Sequence, residues 1–269
     1  MATLPELLAD LDDEYADCRQ LVDALPAGAP EWDRATPAEG WAVRDQIGHL
    51  AFFDEAGRQA VVEPDAFAHL VAEAMDQAGD PMEVHLVRGR ALDGDGLLAW
   101  WGGAHTAMMA AFADVDPTAR IPWFGPPMGA LSFISARLME TWAHGTDVAD
   151  ALGRTRPPTD RLRHVAHLGV RARPFSYVVR GLDIPPGRVD VALTSPAGET
   201  WSFAAGSAGA GEPTATISGP ALDFCLVVTQ RRNPADTALV VSGALAADWL
   251  SVAQAFAGAP GPGRPPTGR

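Results

Sequence analysis

The sequence predicts a helical first part followed by a small α+β domain. Three observations carry this reading. Up to about residue 180, apolar residues recur at helical spacing in long segments separated by Pro- and Gly-rich loops. After Ile184-Pro-Pro-Gly187 the period changes: Val189 to Thr194 alternates as a strand does, and short strand and helix signals then follow one another. From Gly258 onward the residues are mostly Pro, Gly and Arg. The expected organisation is a helical bundle with a connecting helix over residues 1–183, an α+β domain over 184–258 and a disordered tail over 259–269.

Composition narrows the function. Of 269 residues, 47% are hydrophobic, enough for two modest domains or one large one. Asp and Glu number 34 against 20 Lys and Arg, a formal charge of −14 that disfavours nucleic-acid backbones and anionic membrane surfaces. Every one of the 20 basic residues is Arg, which excludes Schiff-base chemistry on the chain and a lysine-based phosphate loop. Cys18 and Cys225 have no paired spacing and each lies in an apolar stripe, so they are expected to be buried core thiols in a reducing, cytoplasmic compartment. The acidic, amphipathic start does not resemble a signal peptide, and no apolar run approaches the ~18 residues a membrane span needs.

In chain order, a first helix is expected from Leu4 to Leu25, with Thr3 and Glu6 at capping-box spacing and Leu4, Leu7, Leu8, Leu11, Tyr15, Cys18 and Val22 as its stripe. A loop over 26–40 holds Trp32. A second helix runs from Trp41 to Val62, with His49 on the same face as Phe52, Phe53, Ala56 and Ala60. One or two shorter helices follow, broken at Gly79-Asp80-Pro81. Another helix spans Gly96 to Ala113 with Asp95 as its N-cap, carrying Trp100, Trp101, His105, Met108 and Phe112 as core. The proline-rich loop 116–127 exposes Trp123-Phe124. A long helix covers Met128 to Leu152 and stops at Gly153. A helix over 159–180, strands near 189–194, 199–204, 214–218 and 238–242, and helices near 220–230 and 245–257 complete the chain.

The long helix carries the chemistry. Glu140 and His144 stand at i and i+4, one turn apart on one face. A carboxylate and an imidazole so placed can share a divalent ion, and His49 on the second helix is the candidate third ligand. Two histidines and a glutamate suit zinc, with a fourth position left for water or substrate; other divalent metals fit the same donor types. Asp147, three residues beyond His144, is a candidate acceptor that orients an imidazole. Taken alone, His49 reads equally as a hydrogen-bonded core residue and the Glu140 stripe as a solvated face with Arg137 pairing Glu140. Phe133 and the small apolar residues on that stripe favour a covered cleft.

The segment Trp41 to Leu50, with its Arg-Asp and His-Leu pairs, together with Glu140-x-x-x-His144-x-x-Asp147, resembles the mycothiol-dependent maleylpyruvate isomerase family, a branch of the DinB/YfiT-like metal-binding bundles. The motifs cover roughly residues 1–155; residues 185–258 match by element order alone. The resemblance implies a DinB-like bundle, a metal held by His49, Glu140 and His144, and a small sterol-carrier-like α+β domain. It also implies thiol chemistry, in which a low-molecular-weight thiol such as mycothiol is activated at the metal. The small electrophilic substrate is then isomerised or keeps the thiol. A dianionic substrate such as maleylpyruvate requires arginines, for which Arg231 and Arg232 are the candidates, with His167, Arg171 and Arg173 behind them. The tryptophan-rich middle helix and Trp123-Phe124 suit a larger or more apolar substrate.

Three readings therefore stand. The first is a metal-dependent thiol transferase or isomerase. The second keeps the metal as a Lewis acid or water activator and dispenses with the thiol. The third is a non-catalytic apolar-ligand binder with a structural metal. Dependence on added thiol separates the first two, and a non-exchangeable metal marks the third. Apolar residues on both faces of the long helix leave room for a homodimer.

Overall fold

The computed structural model describes residues 2–76, 81–206 and 215–268. The chain forms two compact units, Met1–Arg156 and Pro157–Arg269.

The first unit is helical. α1 (Leu4–Arg19) starts on the Thr3–Glu6 capping box, in which the Glu6 carboxylate accepts from the Thr3 backbone N–H at 2.8 Å. It ends at Arg19, earlier than expected, where the chain turns through Leu21 and Val22 to bury both. α2 (Val43–Val62) begins two residues into the Trp41-Ala-Val-Arg-Asp motif. The Asp45 carboxylate accepts from the Ala42 N–H at 2.9 Å and pairs with Arg90, while Arg44 pairs with Asp33 at 2.7 Å. The Arg-Asp pair thus anchors the first turn of α2 to its surroundings. α3 (Pro64–Asp76) and α4 (Pro81–Ala91) follow; the break expected at residues 79–80 lies outside the described residues. α5 (Gly94–Ala113) is capped by Asp93, not by Asp95: the Asp93 side chain accepts from Gly96 N at 2.8 Å.

The proline-rich loop contains a two-residue ribbon, β1 (Arg120–Ile121) paired antiparallel with β2 (Met128–Gly129). α6 (Ala130–Leu152) leaves β2 directly and ends at Gly153, whose φ of 63° supplies the left-handed C-cap. α2 packs on α5 and α6, and α1 on α6. Both faces of α6 are covered: Ile134, Leu138 and Trp142 are buried, and so are Phe133, Ala143, His144 and Asp147. Arg137 is buried too and pairs with Asp54 of α2, not with Glu140. No helix among the described residues is long and apolar enough to cross a membrane.

The second unit holds α7 (Leu162–Arg171), α8 (Arg173–Val178), a four-stranded sheet and two further helices, α9 (Ala221–Val228) and α10 (Ala244–Val252). The sheet comprises β3 (Val189–Thr194), β4 (Thr200–Ala205), β5 (Ala215–Pro220) and β6 (Val240–Ser242) in the order β4-β3-β5-β6. β3 runs antiparallel to β4 and parallel to β5. Val189, Val191 and Leu193 alternate inward, and Phe224 meets Trp249 edge-on at 6.0 Å in the core. Gly169 lets α7 approach α9, since a Cβ there would lie 2.6 Å from Val228 Cγ2.

Two expectations are corrected. The break between units falls at 156/157, not at 183/184, because α7 packs on α9 and β4 and so belongs with the sheet. The tail is ordered as far as residue 268: Asn233 Nδ2 donates to the Arg264 carbonyl at 2.8 Å, Arg264 Nε donates to the Gln230 carbonyl at 3.2 Å, and Asp236 accepts from Thr267 N. Its composition offers little apolar surface, and hydrogen bonds between side chains and backbone hold it instead.

Candidate metal centre

α2 and α6 face each other and bring His49, Glu140 and His144 together. One donor atom from each lies within 4.8 Å of the other two. A tetrahedral ion with donors at ~2.1 Å spaces them about 3.4 Å apart, so small side-chain rotations close the set. His144 Nε2 lies 3.2 Å from Glu140 Oε2, as the i, i+4 spacing requires. The two imidazole centroids are 4.3 Å apart. Both histidines are buried and Glu140 is half-buried. That brings a carboxylate and two imidazoles together, a donor set that fits a divalent ion with an open position.

Aromatic rings frame the cluster. Trp41 stacks on His144 at 5.8 Å and 13°, and it meets His49 at 5.1 Å. Phe53 packs on His49 at 4.6 Å. Phe53 then meets the half-buried Trp123 and Phe124 from the β1–β2 ribbon; Trp123 stacks on Phe67 of α3 and meets Phe133 of α6 edge-on. The Trp-Phe pair that the sequence exposes is folded back over an aromatic floor beginning at His49.

His144 Nδ1 contacts the Oε1 of Gln46, which is fully buried on α2. The partner at His144 Nδ1 is therefore Gln46; Asp147 is fully buried one turn further along α6. Gln46 is missed by sequence reasoning; its one signal is a polar residue three positions before His49 on an otherwise apolar face.

The arginine candidates lie in the second unit. Arg231 is buried, donates from Nη1 to the Thr229 carbonyl at 2.7 Å and sits 5.9 Å from the Phe256 ring. Arg232 lines a 460 Å³ cavity with Arg180 and Arg264, walled by Val227, Val241 and Leu250. The turn that delivers them passes through Gln230, whose φ of 59° is left-handed for a residue with a side chain. Arg173 is buried and donates to the Pro185 and Gly187 carbonyls, a structural role. His167 is exposed beside Phe203.

Neither cysteine sits at the cluster as a reactive thiol. Burial pushes Cys18 up to about 12 and raises Cys225 as well, so both stay protonated.

Residues 3–149 match the family model of the mycothiol maleylpyruvate isomerase N-terminal domain. Two proteins of Mycobacterium tuberculosis, from strains CDC 1551 / Oshkosh and H37Rv and both known only as uncharacterised, are 41% identical over 268 residues, covering 98% of this chain and 100% of each. Crystal structures of the mycothiol-dependent maleylpyruvate isomerase and of a histidine-to-alanine mutant of it are similar in fold, with TM-scores of 0.56 and 0.57. Each aligns at 16% identity over 86% of this chain and 90% of the other. The motif segments, the geometry of α2 and α6 and the family match agree: the chain belongs to the mycothiol maleylpyruvate isomerase N-terminal domain family.

Proposed function

We propose that this protein is a metal-dependent enzyme that activates a low-molecular-weight thiol of the mycothiol type for addition to a small electrophilic substrate, ending in isomerisation or transfer. The observation that carries the reading is the convergence of His49, Glu140 and His144 within 4.8 Å, in a member of a family named for a mycothiol-dependent isomerase. A divalent ion at these residues, zinc first among the candidates, supplies a Lewis acid that keeps a thiol ionised near neutral pH.

The chain's own residues do the rest. His49 and His144 offer neutral nitrogens, and Glu140 offers the single negative charge, so the donor set leaves a bound ion net positive and attractive to a thiolate. Trp41 and Phe53 cover the imidazoles and exclude water from that side, which strengthens electrostatic interactions within the pocket. The nucleophile is supplied by the co-substrate, consistent with two protein thiols held protonated by burial. Within the second unit, Arg232 lines a cavity with Arg180 and Arg264 whose positive charge suits an anionic group, and Arg231 lies on the same turn.

The test is turnover by the zinc-loaded protein with mycothiol, or a simpler low-molecular-weight thiol, of a panel of α,β-unsaturated acids and ketones, read as substrate isomerisation and as thiol consumption. Thiol-dependent turnover that disappears in His144→Ala supports the proposal. Turnover that needs metal but no thiol would replace it with Lewis-acid or metal-water chemistry.

A further inference from the structure

The two ring nitrogens of His144 are not equivalent, and the residues behind the ring decide which one faces the pocket. Nε2 points towards Glu140, 3.2 Å away. Nδ1 points the other way, to the Gln46 side chain. The second amide atom of Gln46 lies 2.9 Å from Thr36 Oγ1. Thr36 Oγ1 in turn lies 2.9 Å from the Trp41 carbonyl and 3.4 Å from that of Ala38.

Carbonyl oxygens only accept. The Thr36 hydroxyl therefore donates its one proton to a backbone carbonyl and must accept from Gln46. The Gln46 atom facing Thr36 is then the NH2 group, and the atom facing His144 is the carbonyl oxygen. That oxygen also only accepts, so His144 Nδ1 carries a proton. Nε2 faces the Glu140 carboxylate, which likewise only accepts; an ion held by His144 and Glu140 would take the Nε2 lone pair and leave the ring proton on Nδ1 for Gln46.

We propose that Gln46 is the positioning residue of this centre: with Thr36 behind it, Gln46 locks the His144 tautomer so that Nε2 is the ligand atom. The inference rests on the functional reading proposed above, because the ion is what occupies the Nε2 lone pair. Gln46 stands three residues before His49, on the same face of α2. One helix thus presents a ligand together with the group that orients the ligand on the facing helix. The lock is itself held in place. The segment 34–43 is closed by an Ala35–Ala42 bridge, with Thr36 N donating to the Trp41 carbonyl at 2.8 Å and Val43 N to the Arg34 carbonyl at 3.0 Å. The same segment delivers Trp41 onto the His144 ring. An amide at this position orients the imidazole without the added negative charge that a carboxylate would bring, which keeps a bound ion more electrophilic.

The test uses three variants and two readouts on the full chain. Gln46→Leu removes the acceptor, Thr36→Val frees the amide to turn over, and Gln46→Glu keeps an acceptor at Nδ1. Zinc affinity, read by competition with a chromophoric chelator, should fall about ten- to a hundredfold in Gln46→Leu, less in Thr36→Val, and be retained in Gln46→Glu. Long-range proton–nitrogen NMR of the histidine rings in zinc-loaded protein should show His144 protonated at Nδ1 and bound through Nε2. In Gln46→Leu the His144 Nδ1 proton should exchange faster with water. Coordination through Nδ1 in the unsubstituted protein overturns the inference, as does unchanged zinc affinity in a folded Gln46→Leu variant. No zinc uptake by the unsubstituted protein overturns the metal reading and the inference with it.

Discussion

Replacing Arg137 by Met should loosen the first unit and with it the metal centre. Arg137 of α6 and Asp54 of α2 are about 4% and 3% exposed, and their closest atoms, Nη2 and Oδ1, lie 2.7 Å apart. Nε adds a bond to the same oxygen at 3.1 Å, and Nη2 reaches the Leu50 carbonyl at 3.3 Å. The pair sits one turn before Glu140 and just over a turn beyond His49, so it sets how the two ligand-bearing helices meet. Met fills much of the volume but leaves Asp54 buried, with His105 Nδ1 at 3.8 Å as a weaker partner. Removing one half of a buried ion pair costs about 3–5 kcal/mol, because the remaining charge is stranded. With a urea slope of about 2 kcal/mol per M, the first-unit transition should move down by about 2 M. Urea titration followed by tryptophan fluorescence reads this shift. The double variant Arg137→Met, Asp54→Leu should recover most of the loss, since no charge is then left unpaired. A single-variant shift below about 0.5 M, or a double variant no better than the single, would refute the assignment of this pair as the α2–α6 fastener.

Other outcomes follow from separate features. Native protein at about pH 8 should resist alkylation by iodoacetamide, because Cys18 is pushed up to about 12 and Cys225 is raised too; both should label in urea, and labelling of the native chain would contradict their protonated, buried state. Gly169→Ala should destabilise the second unit by about 1–3 kcal/mol, since its Cβ would lie 2.6 Å from Val228 Cγ2; a melting temperature unchanged by the substitution would show that α7 and α9 part freely. Deleting residues 259–269 should cost about 1–3 kcal/mol through the loss of the Arg264 and Thr267 hydrogen bonds, and no change in the second unit's melting would return the tail to the disordered segment its composition suggests.

Elements that announce themselves locally are legible in the sequence. The Thr3–Glu6 box starts α1, Gly153 stops α6, and the alternation at 189–194 is β3. The Glu140–His144 spacing was readable because it lies within one helix, and the covering of both α6 faces followed from Phe133 and the small residues beside Glu140. What depends on distant partners was not readable. Arg137 was a plausible partner for Glu140 at i+3, but only the packing of α6 on α2 shows that Asp54 takes it. The group at His144 Nδ1 is Gln46, 98 positions away, which no local spacing announces. Asp93 and Asp95 are both acceptable N-caps by residue type, and the backbone geometry of α5 selects Asp93. The division of the chain followed α7's packing onto α9 and β4, which composition does not encode. Arg231 and Arg232 were singled out as a pair, and the structure separates them: one is buried against Phe256 and the other lines a cavity.

The most direct measurement is metal content by mass spectrometry of the purified chain, beside His49→Ala and Glu140→Ala, each checked for fold by circular dichroism. About one zinc or other divalent ion per chain, lost in both folded variants, is the result a three-ligand centre requires. No metal in the protein after incubation with zinc, or the same metal content in all three, would contradict the centre and return His49, Glu140 and His144 to packing roles between α2 and α6.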